Sequence, residues 1–343
     1  MMKKIVFSGA PYRLGNPLQQ LLDRTLIGYA FAGEQRRLVG WECWYGNDQA
    51  EDAQLVESRK KEWQLQTTLA PFEIMARADA AVLIALDDQS VSKASLVLKA
   101  IQALRPGSRC FVYGALAQDG ATAQELLAQA QQRQVALLAG TATSRTFTLP
   151  HIELPVRDQI GRAFIVVQGD PRQSLLKGLT GLLPFIRLKS PGHLKITFAK
   201  LFKSDEVWNA LKKGEIPKHL LQSAMSRSNT IQGDPERDGR TQNVIPLDLL
   251  PKLSPSAACY LLRVASGLEI FVVNLTGALR DFNVALETSS GRIISTQLYR
   301  PPPPMSEHYS LLTAHIHEFI KGRVQPEHHG YFIADALGRY EPV

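Results

Sequence analysis

Short apolar runs alternate with amphipathic stretches over the first 140 residues of the chain. The runs lie at 4–8, 37–45, 80–86, 109–113 and 135–139, and the segments between them carry apolar residues at helical spacing. The run 80–86 is apolar throughout, as expected for a strand that helices cover on both faces. Repeated strand–helix–strand units of this length predict a doubly wound parallel sheet.

The pattern changes near residue 150, where the strand candidates become longer and follow one another. Strands are predicted in meander order at 162–168, 193–198, 259–265, 268–275, 282–287 and 292–299. Helices are predicted at 174–187, 204–224 and 306–321. We therefore predict an α/β, Rossmann-like nucleotide-binding domain at 1–148. An α+β substrate and oligomerisation domain with a largely antiparallel sheet is expected at 149–343.

Composition excludes several classes of protein. The 343 residues are 45% hydrophobic and 21% charged, which is ordinary for a globular chain, and the net charge of +7 permits phosphate-bearing partners without requiring them. The cysteines, Cys43, Cys110 and Cys259, are too far apart to indicate disulfides or a CxxC metal site. Neither a secretory signal nor a membrane span is indicated, so we expect a cytoplasmic protein.

Two groups of polar residues have a plain structural interpretation. Residues 187–218 carry eight basic side chains against three acidic ones, but without interleaved aromatics or a helix-turn-helix pattern. They predict a solvated basic face, and we do not expect nucleic-acid binding. His315 and His317 lie two apart on a predicted helix and so point to different faces. We expect solvated histidines there and no metal site.

The first predicted strand is followed by a glycine turn at 9–15 (GAPYRLG). A dinucleotide fingerprint needs glycines so that backbone N–H groups can approach a pyrophosphate at a helix N-terminus. Gly9 matches that pattern, whereas Pro11, which lacks an N–H group, and Leu14 replace the other glycines. Asp48 is a candidate for holding a ribose hydroxyl. A strand–turn–helix unit without a cofactor is the open alternative.

The order and spacing of several runs resemble the glucose–fructose oxidoreductase / inositol dehydrogenase / MocA-like (Gfo/Idh/MocA) family. The runs are 78–88 (ADAAVLIALDD), 111–117 (FVYGALA), 121–127 (ATAQELL) and 134–140 (QVALLAG), with 260–285 and 298–322 in the second half. The resemblance implies an NAD- or NADP-binding domain and a second domain whose open sheet commonly forms dimers or tetramers. We therefore expect a carbohydrate-like small-molecule substrate and a homo-oligomer formed through the C-terminal sheet.

Two departures from the family pattern concern catalysis. Active members carry Glu-Lys-Pro just before Leu-Ala, and the lysine helps bind cofactor and polarise the reacting hydroxyl. Here those positions are Tyr113, Gly114 and Ala115, so we expect no local substitute for the ammonium group. The family's catalytic histidine comes from the first helix of the second domain, where residues 173–179 contain no histidine and Lys177 falls closest. Tyr113 and Lys177 are therefore the candidate catalytic residues.

The candidate cofactor-binding residues follow the ends of predicted parallel strands, where doubly wound sheets bind ligands. They are Gly9, Tyr12, Arg13, Leu14, Asp48, Ala85, Leu86, Asp87, Ser90 and Gly114. The residues leave open an NAD(P)-dependent oxidoreductase acting on a sugar, polyol or related hydroxy compound. They equally leave open a non-catalytic relative that acts as a scaffold, sensor or partner subunit, and a lyase that uses Lys177 or Tyr113.

Overall fold

The chain folds into two compact units in a computed structural model. The structure describes residues 2–46, 52–84, 93–154, 158–189, 194–234, 236, 239, 241, 243, 245–301, 306–326 and 329–340. The first unit comprises Met1–Ala142 and Pro301–Gly338, and the second comprises Thr143–Arg300 and Arg339–Val343. The boundary proposed at 148/149 lies close to the point between Ala142 and Thr143 where the chain passes from the first unit to the second. Residues 301–338, which the sequence pattern put in the second domain, instead belong to the first unit.

A parallel sheet forms the centre of the first unit. Its described strands are β1 (Lys3–Ser8), β2 (Tyr29–Phe31), β3 (Glu34–Arg36), β4 (Trp41–Gly46), β5 (Gln66–Thr68), β6 (Ala80–Ile84), β7 (Arg109–Tyr113) and β8 (Ala136–Gly140). Strands β2 and β3 form a separate hairpin, and the others pair in parallel in the order β5-β4-β1-β6-β7-β8. The doubly wound parallel sheet predicted from the sequence is confirmed.

Helices cover both faces of this sheet. Those described along the first part of the chain are α1 (Pro17–Leu26), α2 (Ala53–Trp63), α3 (Pro71–Met75), α4 (Lys93–Ala103) and α5 (Gly120–Gln132). On β6, Val82 and Ile84 enter one apolar core while Ala81 and Leu83 enter the other. This division explains why the whole strand is apolar in sequence, since each face meets a helix layer.

A mixed sheet forms the centre of the second unit. Its described strands are β9 (Phe147–Leu149), β10 (Ile160–Val167), β11 (Ile196–Lys203), β12 (Ala258–Val264), β13 (Glu269–Asn274), β14 (Phe282–Thr288) and β15 (Ile293–Tyr299). They lie in the order β11-β12-β13-β10-β14-β15-β9. Strand β10 pairs in parallel with β13, and the other pairings are antiparallel. The largely antiparallel sheet is confirmed, but simple meander order is wrong, because β10 is inserted between two hairpins.

The second sheet is covered on both faces within one chain, by α6 (Pro171–Lys189) on one side and by α7 (Asp205–Lys213), α8 (Lys218–Met225) and α9 (Leu250–Leu253) on the other. Gly178 of α6 lies against Val272, whereas Phe164 and Phe271 share a core with α8. The open sheet expected from the resemblance is therefore not found. The helix expected at 204–224 is divided, because Gly214 ends α7 at φ +78° and Pro217 precedes α8.

The segment that returns to the first unit contributes α10 (His308–Ile320) and α11 (His329–Gly338). Helix α10 packs against α1, and α11 packs against α5. Arg24 on α1 donates from Nε to the Ser310 hydroxyl at 3.1 Å and from Nη2 to the Ser306 carbonyl at 3.1 Å. None of the helices in the described ranges is long and apolar enough to cross a membrane.

His317 on α10 corrects the expectation of solvated histidines. It is 3% exposed, with Nε2 3.1 Å from Thr25 Oγ1 and Nδ1 3.3 Å from Tyr29 Oη. Burial, and to a smaller degree the positive charge of Lys321, lowers the pKa of this imidazole to about 3. Its partner in sequence, His315, is half-buried. Within the described residues, no three His, Cys, Asp or Glu side chains form a metal-binding group.

Acidification is expected to destabilise the first unit through His317. The unfolded chain protonates this imidazole near pH 6.5, whereas the folded chain keeps it neutral down to about pH 3. The unfolded state therefore binds more protons, and the free energy of unfolding falls by up to about 1.4 kcal/mol per pH unit below pH 6.5. Urea unfolding at several pH values checks this. His317→Gln should show a shallower slope and His315→Gln the wild-type slope; equal slopes in all three proteins would contradict the assignment.

Candidate functional site

The carboxyl ends of the parallel strands lie level with one another at one edge of the first unit. Ser8 at the end of β1 pairs in register with Gly46 of β4, and Ile84 of β6 pairs with Tyr113 of β7. Sheets of this type bind their ligands beyond this edge. Of the sequence-predicted candidates, Asp48, Ala85, Leu86, Asp87 and Ser90 fall outside the described residues.

Gly9 is the first residue after β1, and its backbone requires a glycine. It adopts φ +100°, and a Cβ at this position would lie 2.7 Å from Leu96 Cδ2 and 3.0 Å from the Ile84 carbonyl oxygen. The chain therefore turns closely against β6 and α4 at the sheet edge. Such an approach of the backbone is what the first glycine of a nucleotide-binding turn permits.

Tyr12, a candidate cofactor residue, has its side chain enclosed in the core. Its ring is fully buried, and its hydroxyl donates a short hydrogen bond to the Asp23 carboxylate. Arg59 donates to the same carboxylate from Nε and Nη2 at 2.9 Å each, and Gln19 Nε2 donates at 2.6 Å. Burial, followed by the negative charge of Asp23, raises the pKa of Tyr12 far above its usual value. The Tyr12 side chain therefore fixes the turn to α1 through its hydrogen bond to Asp23.

The backbone of the turn is engaged by a second tyrosine. The Tyr12 N–H group donates to Tyr45 Oη at 3.0 Å, and the Tyr45 hydroxyl lies 3.4 Å from the Ala10 carbonyl oxygen, to which it donates. The side chains of Arg13 and Leu14, the remaining candidates in the turn, are exposed. At Gly9, the absence of a side chain would let a pyrophosphate come close to the backbone of the turn. The Tyr12 N–H group, by contrast, already has an acceptor inside the protein.

A pair of tyrosines lies at the end of β7. The Tyr113 and Tyr309 hydroxyl oxygens are 3.2 Å apart, and the two rings stack with centroids 6.3 Å apart at 18°. The His308 ring lies 4.8 Å from the Tyr309 ring. Gly114, the next candidate, adopts φ +98° and donates its N–H to the Gly140 carbonyl at 2.8 Å. The return segment thereby adds a second phenol and an imidazole to the sheet edge.

An ammonium group also lies at the end of β7, contrary to our expectation. Lys93 Nζ donates to the Tyr113 carbonyl oxygen at 2.8 Å, and the lysine is half-buried. It comes from α4, where the described part of that helix begins. Lys93 lies 20 residues before Tyr113 in the chain, and sequence periodicity gives no signal that joins the two.

Lys177 lies in the second unit, near the middle of α6, with its side chain half-buried. The Thr180 hydroxyl donates to the carbonyl oxygens of Leu176 and Lys177 at 2.9 and 3.1 Å. Tyr113 belongs to the first unit. The two candidate catalytic residues are therefore carried by different units. Sequence reasoning missed four residues near the edge of the parallel sheet, which are Lys93, Tyr309, His308 and Tyr45.

Solved structures similar to this chain include dehydrogenases. Myo-inositol dehydrogenase from Lactobacillus casei, solved in complex with NAD(H) and myo-inositol, superposes with a TM-score of 0.57 at 14% identity, over 98% of this chain and 93% of that one. GenD2 from gentamicin A biosynthesis, in complex with NAD, gives 0.57 at 11% identity, over 98% and 91%. A probable dehydrogenase from Thermotoga maritima gives 0.56 at 13% identity, over 98% and 94%.

These similarities establish the architecture. The chain has the two-domain fold of the Gfo/Idh/MocA-type dehydrogenases, with a Rossmann-type parallel sheet and a second, mostly antiparallel sheet. No protein-family model and no curated protein matches the sequence significantly. At identities of this order, the fold is what the solved structures share with this chain.

Removing the Tyr12 hydroxyl tests the anchor of the turn. We expect Tyr12→Phe to lower the free energy of unfolding by about 1–3 kcal/mol, because a buried Asp23 oxygen loses a hydrogen-bond donor. Denaturant unfolding measures the change. Tyr299→Phe is the matched control, since that tyrosine is 40% exposed, and it should leave stability unchanged. Similar losses in the two variants would contradict the assigned role of the Tyr12–Asp23 contact.

Proposed function

We propose that this protein is an NAD- or NADP-linked oxidoreductase that acts on a sugar, a polyol or a related hydroxy compound. The observation that carries the proposal is the Lys93 ammonium, 2.8 Å from the last carbonyl of β7, at the edge where this fold binds ligands. Solved neighbours with this fold include a dehydrogenase bound to NAD(H) and myo-inositol. The ligands of these neighbours support the class of cofactor and substrate proposed here.

Lys93 is proposed to hold an electronegative ligand oxygen. The Tyr113 carbonyl oxygen holds the Lys93 ammonium at the end of β7, where its positive charge attracts an electronegative oxygen of a bound ligand. A fixed positive charge also stabilises negative charge that develops on a substrate oxygen. A bound nicotinamide would give or accept the hydride. The chain's own residues supply orientation and charge.

Tyr113 and Lys177 remain the proposed catalytic residues, and Tyr309 joins them. The 3.2 Å contact between the Tyr113 and Tyr309 hydroxyls allows one phenol to donate while the other accepts. Such a pair can hold a proton next to a reacting oxygen. A cytoplasmic location and a homo-oligomer complete the proposal.

The second candidate is a non-catalytic relative that serves as a scaffold, sensor or partner subunit. It is favoured by the occupied Tyr12 amide and by Gly114, which offers no side chain where active relatives carry a lysine. Under this alternative the purified protein turns over no sugar or polyol with either cofactor. A lyase would instead turn over a substrate without any change in the redox state of NAD or NADP.

Titration with NADH and NADPH, monitored by nicotinamide fluorescence, tests the oxidoreductase proposal. We expect saturable binding, and reduction of NAD or NADP when sugars and polyols are screened. Lys93→Met should lower kcat/KM by about a hundredfold or more, as loss of a charge-stabilising donor does. Lys99→Met, an exposed lysine on the same helix, should retain wild-type activity. Absence of binding at millimolar NADH and NADPH would rule the proposal out.

The same assay ranks the remaining candidates. Tyr113→Phe, Tyr309→Phe and Lys177→Met should each lower kcat more than they alter the affinity for NADH, if these groups act on the substrate. Circular dichroism confirms that each variant is folded. Wild-type kcat in Tyr113→Phe and Lys177→Met would remove both residues from the proposed catalytic set.

A further inference from the structure

Pro11, Tyr12 and Gly15 of the turn between β1 and α1 offer no unengaged N–H group to a ligand. In nucleotide-binding folds, such N–H groups and the helix N-terminus behind them form the phosphate site. Here Pro11 has no N–H, and the Tyr12 N–H donates to Tyr45 Oη at 3.0 Å. The Gly15 N–H donates to Gln19 Oε1 at 3.1 Å. Side chains of the protein thus act as acceptors where a phosphate oxygen would otherwise do so.

The N-terminus of α1 is occupied in the same way. Asn16 Oδ1 accepts the Gln19 N–H at 2.8 Å, and the Asn16 N–H donates to the Arg13 carbonyl at 3.2 Å. Asn16 Nδ2 donates to the Pro11 carbonyl at 2.5 Å, which ties the cap to the turn. Pro17, the first helical residue, contributes no N–H. An anion at this helix end would compete with the Asn16 side chain for the Gln19 N–H group.

Tyr45 is held firmly in the position where it closes the turn. Its side chain is 1% exposed, and its ring lies 5.7 Å from the Tyr12 ring. On β4 it pairs in register with Phe7 of β1, so both strands define where its hydroxyl lies. Its second contact, to the Ala10 carbonyl at 3.4 Å, lies on the other side of Pro11. One hydroxyl therefore joins both limbs of the turn.

Opening the turn would also disturb the network beneath it. The Tyr12 hydroxyl, Gln19 and Arg59 all donate to Asp23, and this carboxylate is largely buried. A movement of the Tyr12 backbone towards a ligand would pull its side chain away from Asp23. The cost of leaving a buried carboxylate with fewer donors makes the closed turn the stable form.

We propose that Tyr45 is a specificity-determining residue that closes the phosphate-binding turn. A ligand that binds at this edge of the sheet is then recognised without hydrogen bonds between a diphosphate and the N–H groups of the turn. The choice of ligand rests on the function proposed above, whereas the closure itself does not. For a nicotinamide cofactor, the consequence is a small difference in affinity between the dinucleotide and the mononucleotide, because the diphosphate bridge gains little from the turn.

Binding of NADH and of reduced nicotinamide mononucleotide to the wild type, Tyr45→Phe and Tyr29→Phe tests this. Tyr29 is the matched control, since its buried hydroxyl contacts His317 and not the turn. We expect the wild type and Tyr29→Phe to prefer NADH by less than about tenfold. Tyr45→Phe should increase that preference by about tenfold or more, which is the typical value of one charge-assisted hydrogen bond. A preference above a hundredfold that is equal in all three proteins would overturn the proposal.

Hydrogen exchange of the Tyr12 amide gives a readout that does not depend on cofactor binding. In the wild type it should be slow and unchanged by millimolar ADP or inorganic pyrophosphate. In Tyr45→Phe it should be faster, and ADP or pyrophosphate should slow it. Protection of the wild-type turn by either probe would overturn the closure. If neither nicotinamide nucleotide binds, the proposed function fails, while the exchange data still decide whether Tyr45 closes the turn.

Discussion

The Asp23 carboxylate is buried beneath the first turn of the chain and receives hydrogen bonds from Tyr12, Gln19 and Arg59. These donors come from the turn after β1, from α1 and from α2. The carboxylate needs these donors, because a buried charge without partners is costly. The network therefore holds two helices against the turn at the edge where the parallel strands end. It also raises the pKa of the Arg59 guanidinium above its usual value, mainly through the hydrogen bond to Asp23.

The chemistry at the sheet edge is assembled from parts of the chain that are distant in sequence. Gly9 supplies the close turn, Lys93 an ammonium from α4, and Tyr113 the end of β7. Tyr309 comes from the return segment, after the chain has completed the second sheet. The parallel sheet makes this possible, since it brings the carboxyl ends of its strands to one side. The edge consequently keeps cationic and phenolic groups even though Gly114 carries no side chain.

The closure of the turn by Tyr45 and the ligand-holding role of Lys93, as we propose them, have different consequences for a ligand. The first reduces what a diphosphate gains from the backbone, and the second preserves a positive charge for an oxygen of the substrate or cofactor. Under these two proposals, the edge gains more from the hydroxyl or carbonyl oxygens of a ligand than from its phosphates. In this respect the turn after β1 differs from a standard dinucleotide-binding turn, although the architecture of the sheet is the same.

Local pattern was sufficient for the elements that apolar periodicity defines. The run 80–86 predicted a strand buried on both faces, and Gly9 marked the close turn, because burial and positive φ act on single residues and their neighbours. The contacts of Tyr45 with Tyr12, of Lys93 with Tyr113 and of His317 with Thr25 join residues 33, 20 and 292 positions apart. They depend on strand register and helix packing, which periodicity does not encode. For the same reason, only the folded chain decided that residues 301–338 join the first unit and that β10 lies between two hairpins.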